Sequence, residues 1–301
     1  MNLTTETEDS EEFRRLVMKK RIISGAVMTA ISILILILGL KVQLQIITAF
    51  VAIVAALGVI ELISNAAKME NMALKLVSAI YTVIMVFLFS IINQNVFQIN
   101  CSEHSIVEIQ AFVAAIVTSV LYVIVCGVLI AVYEEEFDIS KIAMICGMPL
   151  IFSFAFSTIS SMVLATGGIY YLLLAINFSC ICDIGAYLVG VNLGKTKLCP
   201  KISPNKTVEG ALGGMIASVF AGLVITLCFG YFDKLLPVLL LSIPLCAVGI
   251  AGDLFASVIK RKSDLKDFGN IIPGHGGIID RLDSVLFVAP LLYCLLILGV
   301  I

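Results

Sequence analysis

The sequence predicts an all-α, polytopic integral membrane protein with about nine transmembrane helices and a cytoplasmic N-terminus. Three observations predict this class: the composition, the length of the apolar runs and the placement of the basic residues. Of the 301 residues, 60% are apolar and only 13% are charged, and the mean hydropathy is +1.12. A soluble domain is typically about 45–50% apolar and about 25% charged, so these few charges could not cover the surface of a water-soluble globule.

The charge and cysteine content exclude several classes of protein. The 19 Lys and Arg and 21 Asp and Glu give a net charge of −2. This balance excludes a disordered chain and binding to nucleic acid through overall basicity. The nine cysteines are scattered, with no Cys-x-x-Cys pair and no nearby histidine at zinc spacing, so no metal–thiolate site is predicted.

Nine apolar stretches qualify as transmembrane helices, which need roughly 20 residues to cross about 30 Å of hydrocarbon. They span approximately residues 22–40, 43–63, 74–93, 107–132, 142–164, 168–192, 210–231, 235–258 and 284–301. A basic cluster precedes the first stretch, but no small-residue cleavage site follows it. We therefore interpret the first stretch as an uncleaved anchor.

The basic residues predict the orientation, because cytoplasmic loops carry an excess of Lys and Arg. With the N-terminus inside, every Lys and Arg except Lys41 and Lys234 lies in a predicted cytoplasmic segment. Short loops and the absence of a transit peptide favour a bacterial plasma membrane. Any chemistry is then expected at the cytoplasmic face of this lipid bilayer, where the charged loops lie.

Two aspartates lie well inside predicted spans, where an ionisable group is a functional hypothesis by default. Asp183 lies well inside the sixth span, and Asp253 lies about 10 Å deeper than Lys260 at a rise of about 1.5 Å per residue. Four residues share one helix face at spacings i, i+4, i+7 and i+8, namely Asp253, Ser257, Lys260 and Arg261. This stripe suits a metal ion that holds a phosphate. A polar seam between packed helices and a proton or ion pathway are the alternatives.

The predicted loop after the sixth span combines charge, glycine and proline. Pro204 and the neighbouring glycines shape the backbone so that N–H groups can point at an anion. The side chains that would add charge or hydroxyl groups are Lys201, Ser203, Lys206 and Thr207. Just before the loop, Gly190 and Gly194 form a G-x-x-x-G pattern, which lets helix backbones approach closely. A basic inside loop required by topology alone is the alternative interpretation.

The last inside loop carries the most informative pattern of the chain. It reads Ser257-Val-Ile-Lys260-Arg261, then Lys266-Asp267-Phe-Gly269, then Pro273-Gly274-His275-Gly276-Gly277-Ile-Ile-Asp280-Arg281-Leu-Asp283. Carboxylates hold Mg²⁺, which bridges phosphate oxygens, and Lys and Arg neutralise the charge that develops as pyrophosphate leaves. The pattern therefore predicts a magnesium–nucleotide site. Asp280 and Asp283 can face one way if this stretch begins the ninth helix.

The segment from Ser257 to Asp283 resembles the defining motif of the phosphatidate cytidylyltransferases, also called CDP-diacylglycerol synthases. The region from Asp183 to Gly214 resembles a second block of that family, Asp-x-Gly-Ala-Tyr followed by Ile-Ser-Pro-x-Lys-Thr-x-Glu-Gly. The resemblance implies that CTP and phosphatidate react to give CDP-diacylglycerol and pyrophosphate with Mg²⁺. It also implies a homodimer and a second, monovalent cation such as K⁺. We accordingly divide the chain into a cytoplasmic segment 1–21, N-terminal transmembrane helices 22–164 and a C-terminal transmembrane catalytic region 165–301.

The resemblance and the chemistry of the residues together suggest individual roles. Asp253 and Asp280 are the expected metal ligands, with Asp183 and Asp283 as further candidates. The expected phosphate-binding catalytic residues are Lys260, Arg261, Lys266 and Arg281. The expected substrate-binding residues are Lys201, Ser203, Lys206, Thr207, Ser257, His275, Gly276 and Gly277. Of these, His275 would hydrogen-bond a phosphate or shape its turn.

No general base is expected, because a phosphate monoester is already mostly dianionic near pH 7. Glu61, near the inner end of the second predicted span, is a further site candidate.

Three other functions stay open at this point. A CTP-dependent lipid-alcohol kinase would also join CTP to a membrane substrate, but it would need a base for a neutral hydroxyl. A CDP-alcohol phosphotransferase would need an Asp-Gly-x-x-Ala-Arg pattern, which the sequence does not contain. A transporter or channel could use Asp183 and Asp253 as a relay, but it leaves the loop from Lys266 to Asp283 unexplained.

Overall fold

A computed structural model of the chain describes residues 45–96, 106–133, 138–273 and 276–301, together with isolated helical positions between residues 23 and 37. The predicted cytoplasmic segment 1–21, most of the first predicted span and His275 lie outside the described residues.

Long helices form most of the described part of the chain. The first five are α1 Gln45–Glu61, α2 Met72–Val96, α3 Ile106–Tyr133, α4 Ile139–Leu164 and α5 Gly168–Ile176. They are followed by α6 Cys182–Leu193, β1 Lys197–Cys199, β2 Ser203–Thr207, α7 Val208–Cys228, α8 Leu235–Lys262, α9 Ile279–Leu282 and α10 Val285–Ile297. The predicted all-α class is confirmed.

Seven helical segments in the described ranges are long and apolar enough to cross a membrane, which confirms a polytopic membrane protein. They are Gln45–Ala66, Met72–Ile92, Gln110–Tyr133, Ile139–Leu164, Gly168–Leu193, Val208–Cys228 and Phe232–Lys262. The last predicted span, 284–301, contains only the 13-residue helix α10, which is shorter than the roughly 20 residues of a full crossing. The count of nine spans and the cytoplasmic N-terminus stay predictions.

The span that carries Asp183 is not a uniform helix. Helix α5 passes through a π-helical turn, Asn177–Ile181, into α6. Asn177 Nδ2 donates to the carbonyl oxygen of Ser218 at 3.0 Å, and Ser218 Oγ donates to the carbonyl oxygen of Asn177 at 2.7 Å. These two bonds satisfy buried polar groups and fix α7 against the turn that leads to Asp183.

Helices α6 and α7 approach each other so closely that glycine is required on both. A Cβ atom at Gly214 would lie 2.3 Å from the carbonyl oxygen of Cys182, and one at Gly210 would lie 2.6 Å from that of Ala186. On α6, a Cβ atom at Gly185 would lie 3.0 Å from Gly214 Cα. Gly190 lies opposite Gly210, whose own added Cβ would lie 3.1 Å from Gly190 Cα. The expectation that the G-x-x-x-G pattern lets backbones approach closely is confirmed.

The segment between these helices is a β hairpin, where the sequence predicted a loop. Strands β1 and β2 pair antiparallel, with Lys197 opposite Thr207. The Glu209 carboxylate accepts hydrogen bonds from the N–H groups of Lys195 and Thr196 at 3.1 Å, which holds the start of the hairpin against the start of α7. A hairpin this short has no alternating apolar pattern that would have revealed it.

Two apolar cores hold the helices together. The first joins α1, α2, α3 and α4, and the second joins α5, α8 and α10. Phe268 and Ile279, from the last inside loop and α9, belong to the first core and are each 1% exposed. Burial of such a side chain contributes about 1.5–3 kcal/mol, so this loop is anchored on the N-terminal helices.

Candidate active site

A cleft of about 650 Å³ lies between α6, the β hairpin, α8 and α9. Its charged lining residues are Asp183, Lys197, Lys206, Asp253, Lys260, Asp267, Asp280, Arg281 and Asp283. The cleft therefore brings together the two separate segments that the sequence predicted to form one site.

Asp183 and Asp283 are linked through Ser284. Ser284 Oγ donates to Asp183 Oδ2 at 3.0 Å, and the Ser284 N–H donates to Asp283 Oδ1 at 2.8 Å. Asp283 lies in the turn before α10, and burial, followed by the nearby Asp253 carboxylate, raises its pKa to about 7. Carboxylates that repel one another in this way are typical of a site that receives a cation.

Asp253 lies on α8 and forms an ion pair with Lys206 of the hairpin. Ser257, one turn further along α8, donates to Asp253 Oδ1 at 3.5 Å. The hairpin thus supplies the counter-charge of the deepest carboxylate on α8. Both side chains of the ion pair are 23% exposed, so the pair faces the cleft rather than the apolar core.

Asp280 is held by three donors. Lys260 Nζ lies 3.0 Å from Asp280 Oδ1, and the N–H groups of Phe268 and Gly277 donate to Oδ2 at 2.8 and 2.9 Å. The Asp280 side chain is 3% exposed. Gly277 therefore acts here through its backbone N–H, and Gly276 makes the turn with a φ of 86°, which favours glycine.

The acidic lining fits a divalent cation. Within the described residues, no three Asp, Glu, His or Cys side chains already stand at metal-ligand spacing. The carboxylates of Asp183, Asp253 and Asp283 nevertheless line one cleft, and carboxylate oxygens are the ligands that Mg²⁺ prefers in proteins. Asp280 fits this role less well, because both of its oxygens already accept hydrogen bonds from the protein.

Several predicted residues do not line the cleft. Lys201 and Lys266 are exposed and are not part of the cleft lining. Arg261 is exposed too, and its Nε lies 3.4 Å from the carbonyl oxygen of Ile202. These three cations lie on the surface beside the cleft.

Thr207 lines the cleft but acts as the N-cap of α7, where its Oγ1 accepts from the Gly210 N–H at 3.1 Å. Ser203 and Arg281 line the cleft as expected.

Two charged cleft residues, Lys197 and Asp267, were not among the predicted site residues. Asp267 directly follows Lys266, and the structure places Asp267 rather than Lys266 in the cleft lining. The chain reverses at Asp264, whose φ is 58°, so helical spacing from Lys260 could not predict which neighbour faces the cleft. Lys197 belongs to β1, which the sequence did not predict.

The fold and the cleft define a polytopic helical membrane protein with a mixed carboxylate–cation site suited to metal-bound phosphates. The model of the Cytidylyltransferase family matches residues 19–298, so the chain belongs to that family. The match covers both segments that line the cleft and the helices that precede them.

Three curated relatives share the name phosphatidate cytidylyltransferase. The chain is 51% identical to the phosphatidate cytidylyltransferase of Bacillus subtilis over 114 residues, 38% of this chain and 42% of that protein. It is 48% identical to the Staphylococcus saprophyticus enzyme over 130 residues, 43% and 50% of the two chains. It is 47% identical to the Aquifex aeolicus enzyme over 131 residues, which are 43% of this chain and 48% of that protein. The alignments thus span about half of these relatives or less.

Proposed function

We propose that this protein is a phosphatidate cytidylyltransferase that converts CTP and phosphatidate to CDP-diacylglycerol and pyrophosphate in phospholipid biosynthesis. One observation carries the proposal: both predicted segments meet in a single cleft where Lys206, Lys260 and Arg281 stand among the aspartates. The family membership and the names of the relatives support the same reaction.

The reaction needs positioning and charge neutralisation more than proton transfer. A phosphate oxygen of phosphatidate attacks the α-phosphorus of CTP, a new P–O bond forms, and the bond to the bridging oxygen breaks as pyrophosphate leaves. The nucleophile is mostly dianionic near pH 7, so it needs no general base. What limits the reaction is repulsion between two polyanions, which cations in fixed positions relieve.

The cleft residues divide into cations and carboxylates. Lys206, Lys260 and Arg281 would bind phosphate oxygens, after Lys206 and Lys260 exchange their present carboxylate partners for substrate. Asp183, Asp253 and Asp283 would hold Mg²⁺, with Asp280 as the remaining candidate. When bound, Mg²⁺ would neutralise phosphate charge and polarise the α-phosphorus.

A lipid substrate is supported by the outer wall of the cleft. Tyr187 and Val191 of α6 line the cleft and are 70% and 68% exposed. They continue the apolar outer face of a membrane-spanning helix, so a phosphate group can enter while its acyl chains stay in the bilayer. Every cleft-lining residue in the described part of the chain falls within region 165–301, which we propose carries the chemistry.

Further parts of the proposal rest on the family resemblance and the basic-residue pattern. They are a homodimer, a second monovalent cation such as K⁺, and a bacterial plasma membrane location with the cleft at the cytoplasmic face.

The decisive experiment follows α-labelled CTP with purified protein in detergent, phosphatidate and Mg²⁺. Label should enter the lipid fraction with equal release of pyrophosphate, and Asp253→Asn should abolish both. Glu70→Gln, which also removes one carboxylate charge but at an exposed residue outside the cleft lining, is the matched control and should change the rate little. If label enters the lipid only when a lipid alcohol replaces phosphatidate, the protein is a kinase instead. If pyrophosphate is not released with either lipid, the proposal is wrong.

A further inference from the structure

Glu61 is a buried carboxylate that lies far along the chain from the residues that line the cleft. It ends α1, is 3% exposed, and accepts hydrogen bonds from the N–H groups of Ile278 and Ile279 at 2.8 and 3.5 Å. The first pair lies 217 residues apart along the chain. A buried charge is costly unless it is hydrogen-bonded, so this contact ties the end of α1 to the beginning of α9.

Two glycines of the last inside loop enclose the Glu61 carboxylate. A Cβ atom at Gly269 would lie 1.9 Å from Glu61 Oε1, and one at Gly277 would lie 2.3 Å from Oε2. Neither glycine is among those with a positive φ. Contact with Glu61, rather than backbone conformation, therefore explains why side chains are excluded at both positions.

A second side chain from the same end of α1 holds the other end of the loop. Asn65 lies in the π-helical turn Leu62–Ala66 that follows α1, and its Nδ2 donates to the carbonyl oxygen of Phe268 at 2.6 Å. Lys68 and Asp264 add an exposed ion pair at 3.9 Å, which contributes little. Glu61 and Asn65 thus contact the loop at two separated points.

The loop backbone that these two residues hold also holds the cleft residues. The carbonyl oxygen of Phe268 bonds to Asn65, while its N–H bonds to Asp280. Lys260 Nζ lies 5.3 Å from the centre of the Phe268 ring and 3.0 Å from Asp280 Oδ1. A shift of this loop would therefore move Asp280 and Lys260 together.

We propose that Glu61 and Asn65 are positioning residues for the reaction at the cleft. Neither contacts the residues described as its lining, and they act by fixing the backbone at 268–269 and 277–279 so that the Asp280–Lys260 pair keeps its place. This role rests on the proposed function for its kinetic consequence, but the fixing of the loop itself can be measured without substrate. It also gives the N-terminal helices, which carry no cleft residue, a part in the reaction.

The first test compares Glu61→Ala with Glu61→Gln, Asn65→Ala and the control Glu70→Ala, whose carboxylate is exposed. Because Glu61→Ala removes the acceptor of the Ile278 and Ile279 N–H groups, it should lower kcat at least about tenfold. The KM for phosphatidate should stay within about twofold, because the lipid-facing wall is untouched. Glu61→Gln keeps the length and one acceptor oxygen and should restore most of kcat. Glu70→Ala should match wild type.

The second test uses hydrogen–deuterium exchange of the segment 268–282 in the protein without substrate. Glu61→Ala should speed exchange there by about tenfold or more, since the protected N–H groups of Ile278 and Ile279 lose their acceptor. Glu70→Ala and Glu61→Gln should leave most of the protection in place.

A double-variant cycle tests the contact itself. Gly277→Ala should lower kcat strongly in the wild-type background, because the new methyl group meets Glu61 Oε2. In the Glu61→Ala background the same change should cost much less, since the carboxylate is gone.

These measurements separate the failure of this inference from failure of the proposed function. Unchanged exchange in Glu61→Ala, or faster exchange with unchanged kcat, overturns the positioning role. Equal losses from Gly277→Ala in both backgrounds overturn it as well. If the wild-type protein makes no CDP-diacylglycerol, the proposed function fails, and the exchange data alone decide whether Glu61 fixes the loop.

Discussion

Removal of the Lys260 ammonium should destabilise the folded protein, because it leaves the Asp280 carboxylate buried without its counter-charge. The two side chains are 12% and 3% exposed, and Lys260 Nζ lies 3.0 Å from Asp280 Oδ1. Breaking a buried ion pair from one side costs about 3–5 kcal/mol. The N–H groups of Phe268 and Gly277 still bond to Asp280 Oδ2, so Lys260→Met should fall at the lower end, about 3 kcal/mol.

Replacing both charges should restore much of this loss, since Lys260→Met combined with Asp280→Asn leaves no buried charge at the pair. Thermal unfolding of the metal-free protein in detergent measures the effect. With an unfolding entropy of about 2.1 cal/mol/K per residue, a chain of 301 residues changes by about 1.6 °C per kcal/mol, so Lys260→Met should melt about 5 °C below wild type. The double variant should lower the melting temperature, relative to wild type, by less than half as much as Lys260→Met does. A double variant that melts as low as Lys260→Met would refute the reasoning, because the cost would then not come from the unpaired carboxylate.

Three further outcomes are expected. The raised pKa of Asp283 means that the folded state favours its protonated form, so its contribution to stability is lost as the pH rises through about 7. Asp283→Asn should therefore raise the Tm of the metal-free protein more at about pH 8 than at about pH 5, and equal gains would contradict this. Gly214→Ala should disrupt the contact between α6 and α7 and lower the Tm by several degrees. The control Gly147→Ala should leave the Tm unchanged, because its added Cβ would meet nothing within 4 Å. Equal Tm values for the two variants would contradict this prediction. Lys206→Met should lower kcat at least about a hundredfold, since it removes a cation from the cleft. Lys195→Met, at an exposed residue outside the cleft lining, should change kcat by less than about threefold; similar losses in the two variants would contradict the role of Lys206.

The sequence predicted which segments form the site better than it predicted how their residues are arranged. Asp183 and Asp253 stand out because a carboxylate inside an apolar run is costly and needs a reason. That argument needs no tertiary structure, and both residues line the cleft. Lys201 and Lys266 satisfied the same charge pattern, yet they lie on the surface. A lysine in a loop is equally compatible with solvent and with a ligand, so composition cannot separate the two.

Glu61 illustrates what sequence spacing cannot supply. The helical period relates residues within one element, but Glu61 and Ile278 meet across 217 residues. The only local signals were a carboxylate near the end of an apolar span and two glycines in a distant loop. Their connection depends on how α1 packs against that loop, which the packing of Phe268 and Ile279 determines.

The close contact between α6 and α7 limits how the protein can move during turnover. The β hairpin joins these two helices end to end, and Thr207 sits against Gly190 and Gly194, where an added Cβ would come within 2.9 and 2.8 Å of it. Because the glycines bring the two backbones into direct contact, we expect the two helices and the hairpin to move as one unit. The backbone at Lys206 is therefore expected to keep its position relative to Asp183 while its side chain exchanges Asp253 for substrate. Rearrangement of the cleft would then fall to side chains such as Lys206 and Lys260 rather than to relative movement of α6 and α7.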